Sequence, residues 1–390
     1  MDYELDERQR AWRDEVRDFV REHVDDELAD ETREQGNEGR GPRAHRFLEA
    51  LRERGWWELA WPPEYGGLGK TAVEQWIFID ELESAGAPML PLTVTSVAPT
   101  IMRVGSEEQR EQWLPRIRSG EIDFALGYSE AEAGTDLASL RTRADLDGDH
   151  WVVNGHKMWN TMAHTATHNW LAVRTEPEAP RHKGISMMIV PMDAPGVSVQ
   201  PIRVWPGLRT NAVFFDNVRV PRDHLMGERG MGFYYAAMAL NFERLAIGSI
   251  GMARRHFRAL VAEVRRRVID GRPLREIPWV RERLARIQVE IEAASMLGLE
   301  TACALDRGEV PSAESSMAKV YVSELSQRIA DAGCEILGLD GQLHPEESTA
   351  LAGGRMQWLY RLAPMLAFGG GTNEVQRDII GFMGFGLPRK

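Results

Sequence analysis

The segment GYSEAEAGTD at residues 127–136 combines hydroxyl side chains with small residues. Ser129 and Thr135 supply the hydroxyls, and the Ala and Gly residues between them permit a tight turn. Such a turn can bring backbone amides and hydroxyl groups close to a bound ligand. As a bare pattern it is more typical of a polar loop between two elements, so this segment alone leaves both interpretations open.

A second candidate is GHKMWNT at residues 155–161, which contains the second residue of the hairpin dipeptide Asn154-Gly155. Trp159 and Thr161 are two residues apart, so an extended backbone would place both side chains on one face. An indole beside a hydroxyl group would suit a stacked planar ring such as an isoalloxazine. Trp159 as an ordinary core residue is the alternative.

A glycine-rich segment, FGGGTNEVQRDIIG, occupies residues 368–381 and opens a predicted helix. The amides at the N-terminus of a helix can face an anion or an acyl carbonyl. The segment lacks the Lys and the spacing of a P-loop, and it does not follow a strand as a dinucleotide fingerprint does. Thr372 as a simple N-cap is the alternative.

The fourth candidate, NFERLAIGSIG at residues 241–251, places Glu243 and Arg244 in an otherwise small and apolar helix. Glu243 is either an ion-paired surface residue or a buried base. The 10 His residues show no HExxH or comparable spacing, so no metal site is predicted.

Helical periodicity dominates the first and last thirds of the chain. Near the N-terminus Trp12, Val16 and Phe19 recur at helical spacing, and Asp6 and Gln9 are placed as a capping pair. Because four long helices with short connections follow the middle of the chain, they predict an antiparallel bundle. Helices are predicted at 5–24, 44–55, 72–85, 107–118, 233–268, 279–306, 312–337 (ending at Gly338) and 372–383.

The middle third is predicted to be a β domain. Asp147-Gly148 and Asn154-Gly155 are hairpin dipeptides on either side of the β-prone run HWVV. Strands are predicted at 169–175, 185–191, 197–204 and 213–220. The fold class is therefore α+β, with an N-terminal α-helical domain (1–121), a central β domain (122–232) and a C-terminal helical bundle (233–390).

Composition and charge exclude several classes of protein. With 43% hydrophobic and 27% charged residues, the chain has the composition of a folded globular protein. A net charge of -12 argues against general nucleic-acid binding. Cys303 and Cys334 are too few for a disulfide framework, which favours a reducing compartment. No apolar run suits a signal segment or membrane span, so we expect a cytoplasmic protein without membrane association.

The four segments, in this order and within a helix, sheet, helix layout, resemble the acyl-CoA dehydrogenase family. WPPEYGGLG (61–69) and FFDNVRVP (214–221) extend the resemblance over nearly the whole chain. It implies a β-barrel-like central domain, a C-terminal four-helix bundle, bound FAD and an acyl-CoA substrate. The implied flavin contacts are Leu126, Tyr128, Ser129, Gly134, Thr135, Trp159 and Thr161, with Thr372 and Glu374 after the glycine loop.

The resemblance also implies FAD contacts donated to a neighbouring subunit, and here the chain departs from the family pattern. The Arg-x-x-Phe-Gly motif is RVIDG, which keeps Arg267 but has Asp270 in place of Phe. The Gln-x-x-Gly motif is EILG, with Glu335 in place of Gln and Gly338 retained. We therefore expect either a homo-oligomer (a dimer of dimers) or a heterotetramer with a related subunit that shares the FAD site.

The family's usual catalytic Glu in the glycine loop is replaced here by Gly370. In a second group, resembling isovaleryl-CoA dehydrogenase, the carboxylate comes from the bundle helix, and Glu243 falls at that position. The implied reaction is removal of the α proton by Glu243 and hydride transfer to the flavin, with the Gly370 amide polarising the thioester carbonyl. The product is a trans-2-enoyl-CoA. An electron-transferring flavoprotein is the expected acceptor, with a flavin oxidase or monooxygenase as the alternative.

Overall fold

A computed structural model describes residues 4–35, 40–242, 244–269 and 271–388. Its α-helices are α1 (Glu7–His23), α2 (Asp26–Gln35), α3 (Pro42–Glu53), α4 (Ala72–Ala85), α5 (Ala98–Val104), α6 (Glu107–Arg118), α7 (Gly232–Phe242), α8 (Arg244–Ile247), α9 (Gly251–Arg266), α10 (Pro278–Asp306), α11 (Ser312–Leu337), α12 (Arg355–Leu366) and α13 (Asn373–Ile379). Its strands are β1 (Phe124–Gly127), β2 (Arg143–Asp147), β3 (His150–Lys157), β4 (His168–Arg174), β5 (Ile185–Pro191), β6 (Val197–Arg203), β7 (Arg209–Pro221), β8 (Leu225–Met226), β9 (Val268–Ile269) and β10 (Arg272–Pro273).

Internal contacts divide the chain into two compact units. The helical unit comprises Met1–Asp30, Lys70–Met89 and Arg244–Lys390, and the sheet unit comprises Glu31–Gly69 and Leu90–Glu243. The predicted sequence of helices, then strands, then helices is confirmed along the chain. The boundaries after residues 121 and 232 stay a prediction.

In the helical unit, α1 begins as its sequence predicts. Asp6 accepts from the backbone N–H of Gln9, and the Gln9 side chain accepts from the backbone of Asp6, which completes a capping box. Trp12 is buried, and its indole N–H donates to the backbone oxygen of Glu74 at the start of α4 at 2.9 Å. The buried stripe of α1 therefore packs against α4 within this unit.

The C-terminal bundle differs from the predicted one in two places. Its core is shared by α9, α10, α11 and α12, so α12, which the sequence patterns did not predict, takes the place expected for the helix at 372–383. The predicted helix at 233–268 is interrupted after α8, and α9 begins at Gly251. A Cβ at Gly251 would lie 2.6 Å from the backbone oxygen of Asp80, so the close approach of α4 requires glycine there. Gly338 ends α11 with φ of 62°, as predicted.

Within the described residues, the sheet unit contains one eight-stranded sheet with the strand path β6-β7-β3-β2-β4-β5-β8. β1 pairs in parallel with β4 and lies off this path. The predicted hairpin at Asp147-Gly148 is confirmed, because β2 and β3 pair through it and Gly148 has φ of 63°. The predicted turn at Asn154-Gly155 is wrong. These residues lie inside β3, and the register with β7 shifts between Val153 and Gly155 as at a β-bulge.

Among the residues that the structure describes, no helix is both long enough and apolar enough to cross a membrane.

Candidate functional site

The loop that follows β1 contains the first set of predicted ligand contacts. β1 ends at Gly127, where a Cβ would lie 2.1 Å from Asn169 Oδ1 of the paired strand β4. Leu126, Tyr128 and Ser129 are half-buried, whereas Gly134 and Thr135 are exposed. The predicted contacts therefore run from a buried strand end out to an accessible loop.

A buried ion pair, the lysine brace of Lys157 and Glu130, holds the base of this loop. Lys157 Nζ lies 2.9 Å from Glu130 Oε1 and donates to the backbone oxygen of Tyr128 at 3.0 Å. Glu130 also accepts from the amides of Arg141 and Thr142 at 2.7 and 2.8 Å. The Lys157 side chain is 0% exposed and that of Glu130 is 7% exposed, so both charges depend on these partners.

Burial shifts the pKa of Glu130 and that of Lys157 in the direction that favours the neutral form of each, and the ion pair between them shifts each pKa in the other direction. Burial would raise the pKa of Glu130, but the Lys157 ammonium and the bonds from Thr142 and Arg141 hold this pKa at about 2. Burial lowers the pKa of Lys157 to about 8, against the attraction of Glu130. Glu130 is therefore ionised across the physiological range.

Trp159 does not lie on an extended strand, so the expectation that it shares a strand face with Thr161 is wrong. Its φ is 65°, in the left-handed region that non-glycine residues rarely adopt. The indole is 54% exposed, which also excludes the ordinary core alternative. Thr161 is exposed as well, in the turn that follows.

Three buried asparagines, Asn160, Asn169 and Asn211, form the asparagine brace beside Trp159. The amide of Asn160 donates to the Asn211 backbone oxygen at 2.9 Å, and Asn211 Nδ2 donates back to the Asn160 backbone oxygen at 2.8 Å. Asn169 Nδ2 donates to Asn160 Oδ1 at 3.1 Å. The residue after Trp159 is thus fixed by both backbone and side-chain bonds.

The two predicted segments of the sheet unit are joined directly. The amide of Met158 donates to the backbone oxygen of Ser129 at 2.9 Å. Since Met158 precedes Trp159 and Ser129 belongs to the other segment, the structure brings the two sets of predicted contacts together. Sequence reasoning missed both braces. The sequence feature that could have indicated the lysine brace is Lys157 itself, a lysine at an inward-facing position of β3 and two residues before the predicted contact Trp159.

The glycine loop lies in the helical unit. Gly370 and Gly371 have φ of 66° and 96°, which favours glycine at both positions. Thr372 is the N-cap of α13, because its hydroxyl accepts from the amide of Val375 at 3.3 Å. Glu374 is exposed, and its pKa is lowered by bonds to backbone and to Thr372.

A second buried lysine supports this loop. Lys319 Nζ donates to the backbone oxygen of Ala367 at 3.0 Å and to Asn373 Oδ1 at 2.7 Å. Burial lowers the pKa of Lys319 to about 8, despite the attraction of Glu374 and Glu324. The loop is therefore held at both ends by one side chain of α11.

The segments predicted to contact a neighbour's FAD lie near one another in the helical unit. Arg267 Nη1 lies 3.1 Å from Asp340 Oδ2, in the turn that follows Gly338. Glu335 Oε2 lies 3.6 Å from Arg283 Nη2. Arg267, which the resemblance assigns to the FAD of a neighbouring subunit, is thus ion-paired with a carboxylate of its own chain.

Glu243, the predicted base, lies outside the described residues, as does Asp270. Within the described residues no cluster of three or more His, Cys, Asp or Glu side chains is arranged to hold a metal ion.

The comparisons with known proteins cover nearly all of the chain. Family models described as the acyl-CoA dehydrogenase N-terminal, middle and C-terminal domains match residues 6–121, 125–218 and 230–382. The chain is 41% identical to acyl-CoA dehydrogenase FadE26 of Mycobacterium tuberculosis (strain ATCC 25618 / H37Rv) over 394 residues, which covers 96% of this chain and 97% of FadE26.

Solved structures agree with these matches. The ChsE4-ChsE5 complex from Mycobacterium tuberculosis is 39% identical with a TM-score of 0.91, and 100% of each chain is covered. The Tcur3481-Tcur3483 steroid ACAD is 38% identical, also with a TM-score of 0.91 and with 100% of each chain covered. Sequence and fold both support the predicted family, and the chain belongs to the acyl-CoA dehydrogenase family.

Proposed function

We propose that this acyl-CoA dehydrogenase is the FAD- and base-bearing subunit of a two-component enzyme, and that it oxidises a CoA thioester with a bulky acyl group such as a steroid side chain. One contrast carries the proposal. The flavin-contact positions of the sheet unit are held on a buried frame, whereas Arg267 and Glu335 of the helical unit are ion-paired within their own chain.

The sheet-unit residues fit the isoalloxazine of FAD. Trp159 presents an exposed indole from a left-handed backbone next to the buried Asn160, a costly arrangement that leaves a face free for a planar ring. Exposed hydroxyls at Thr135 and Thr161 can bond to the ring's polar edge. The residues proposed to hold FAD in this unit are Leu126, Tyr128, Ser129, Gly134, Thr135, Trp159 and Thr161, with Thr372 and Glu374 from the helical unit.

The proposed chemistry divides between two residues of this chain. Glu243 takes the α proton, and the electron pair of that C–H bond forms the Cα=Cβ double bond. Gly370 has no side chain but keeps its amide, which can donate to the thioester carbonyl and stabilise the developing enolate by about 3 kcal/mol. Bound FAD supplies the two-electron acceptor for the hydride that leaves Cβ.

The two-component arrangement is supported by the altered partner segments and by the relatives. One related structure is described as a complex of ChsE4 with ChsE5, and another as a steroid ACAD named for Tcur3481 and Tcur3483. A related subunit with an unpaired arginine at the Arg267 position would complete the FAD site. We infer that an electron-transferring flavoprotein reoxidises the enzyme, as is standard in the family.

Substitution of Glu243 tests the chemistry. With the chain purified beside its related subunit, Glu243→Gln should slow anaerobic bleaching of the flavin by acyl-CoA about 100- to 10,000-fold, because the general base is lost. Glu346→Gln removes an exposed carboxylate near His344 and should leave bleaching unchanged. Bleaching at the wild-type rate in Glu243→Gln would remove this residue from the mechanism.

Assembly is tested by the visible spectrum of the purified protein. The chain produced alone should retain little flavin, while the chain produced with the related subunit should be yellow and contain one FAD per pair. A fully yellow homo-oligomer of this chain would contradict the two-component proposal and leave the proposed chemistry intact. Peroxide formed in stoichiometric amounts during turnover in air would instead indicate an oxidase.

A further inference from the structure

The sheet unit contains buried charge that the proposed reaction does not use. Neither Lys157 nor Glu130 is needed as an acid, a base or a nucleophile in that reaction. A buried ion pair is in itself weak evidence for a stabilising role, because removing two charges from water can cost as much as their attraction returns. The position of the lysine brace is therefore not explained by stability alone.

The lysine brace bonds to the backbone of the residues proposed to contact FAD. Besides Glu130, Lys157 Nζ meets the backbone oxygen of Tyr128 at 3.0 Å. Lys157 itself is two residues from Trp159. One buried ammonium thus links the loop at 128–136 with the segment that carries the exposed indole, and shifting either segment would leave a buried charge without its partners.

The asparagine brace fixes the other side of Trp159. Asn211 and Asn160 exchange two bonds through backbone and side chain, and Asn169 holds the Asn160 side chain. All three are at most 1% exposed. Since the residues before and after Trp159 are both bonded within the chain, its left-handed backbone is imposed by the surrounding structure.

We propose that the lysine brace and the asparagine brace are positioning elements, which hold the loop at 128–136 and the Trp159 indole as one preformed wall for the flavin ring. This inference rests on the proposed FAD function. None of the brace residues touches the reacting atoms in this proposal. They act by removing the conformational cost of ordering the wall when the cofactor binds.

The test uses a double variant that removes both charges at once. Lys157→Met with Glu130→Gln keeps side chains of similar length. The single amide oxygen of Gln accepts from only one of the two amides, that of Arg141 or that of Thr142, and Tyr128 loses its donor. No unpaired charge remains in the interior, so the fold is expected to survive. Lys183→Met with Glu178→Gln makes the same two changes at exposed positions of the sheet unit and serves as the control.

Three measurements are made on the chain with its related subunit after the flavin has been removed. Thermal unfolding reports the fold, FAD titration reports the dissociation constant, and flavin fluorescence at saturation reports stacking on Trp159, since a stacked indole quenches flavin emission. We expect an unchanged fold, an FAD dissociation constant about 10- to 100-fold higher and brighter bound flavin. The control should match the wild type in all three.

A folded double variant with wild-type affinity and wild-type quenching would overturn the inference. If that variant fails to fold, Asn169→Ala is used instead, because it breaks the asparagine brace without changing a charge. Unaltered FAD affinity and unaltered quenching in Asn169→Ala would also overturn the inference. Failure of the wild-type pair to bind FAD at all would instead contradict the proposed function, so the two failures are distinguishable.

Discussion

The sheet unit and the helical unit both contain positions that the family resemblance assigns to FAD, but they treat those positions differently. In the sheet unit, Trp159 and Thr135 are exposed while the residues behind them are buried and bonded. In the helical unit, Arg267 is bonded to Asp340. A matching residue type alone therefore does not make a position a ligand contact, because the same side chain can also pair within its own chain.

Two carboxylates extend the same comparison. Burial favours the neutral acid for both Glu130 in the sheet unit and Glu83 in the helical unit. Glu130 has a lysine partner and its pKa falls to about 2. Burial raises the pKa of Glu83 to about 7, because bonds from Ser249 and the Met252 amide only partly offset the loss of water. Between these two carboxylates, the lysine counter-charge beside Glu130 accounts for the opposite sign of the pKa shift.

The largest expected effect is on acid stability. Because the folded pKa of Glu130 lies below its unfolded value of 4.5, its contribution is present above pH 4.5 and is lost as the pH falls towards 2. The full loss is about 3 kcal/mol, of which about 2 kcal/mol appears by pH 3. Denaturant unfolding at pH 6 and pH 3 should therefore show a steeper decline for the wild type than for Lys157→Met with Glu130→Gln.

Glu83→Gln is the matched control for this prediction, since the linkage has the opposite sign. A folded pKa raised to about 7 gives a contribution that is present below pH 4.5 and lost as the pH rises through 7. Removal of Glu83 should therefore increase stability near pH 8 and have little effect at pH 4. Equal pH dependence of stability in both variants and the wild type would show that neither carboxylate has a shifted pKa in the folded chain, and would contradict the comparison.

An intermediate effect is expected from releasing Arg267. Asp340→Asn removes the carboxylate at 3.1 Å and frees the guanidinium for a phosphate. A charge-assisted bond of this kind should raise the FAD affinity of the chain produced alone about tenfold. FAD titration of Asp340→Asn, compared with the exposed control Glu346→Gln, measures this change in FAD affinity. Unchanged affinity would mean that this segment takes no part in flavin binding.

The sequence predicted those features that depend on local patterns. The capping box at Asp6, the end of α11 at Gly338 and the hairpin at Gly148 follow from residue types a few positions apart, and the structure confirms all three. The family assignment followed from four short motifs in order. These features can be identified from residues close together in the sequence or from the order of motifs along the chain, so tertiary contacts are not needed to predict them.

The remaining features depend on contacts between distant residues. Asn154-Gly155 has the composition of a turn, yet pairing of β3 with β7 absorbs it as a bulge. Trp159 is left-handed because Asn211, 52 positions along the chain, fixes its neighbour Asn160. No periodicity or spacing encodes either outcome. The two braces were missed for the same reason, since a lysine and three asparagines acquire their role only from burial.

The smallest effect is expected at Thr372, where substitution distinguishes a helix N-cap from a contact with FAD. Its hydroxyl accepts from the Val375 amide at 3.3 Å, so Thr372→Ala should lower the unfolding free energy by about 1 kcal/mol through loss of the N-cap. Thr372→Ser keeps the hydroxyl and should restore stability. If the hydroxyl also bonds to FAD, as proposed, Thr372→Ala weakens FAD binding about three- to tenfold in the assembled enzyme, and Thr372→Ser does not. A loss of stability with unchanged FAD affinity would restrict Thr372 to capping and would leave the sheet unit as the principal flavin-binding half of this chain.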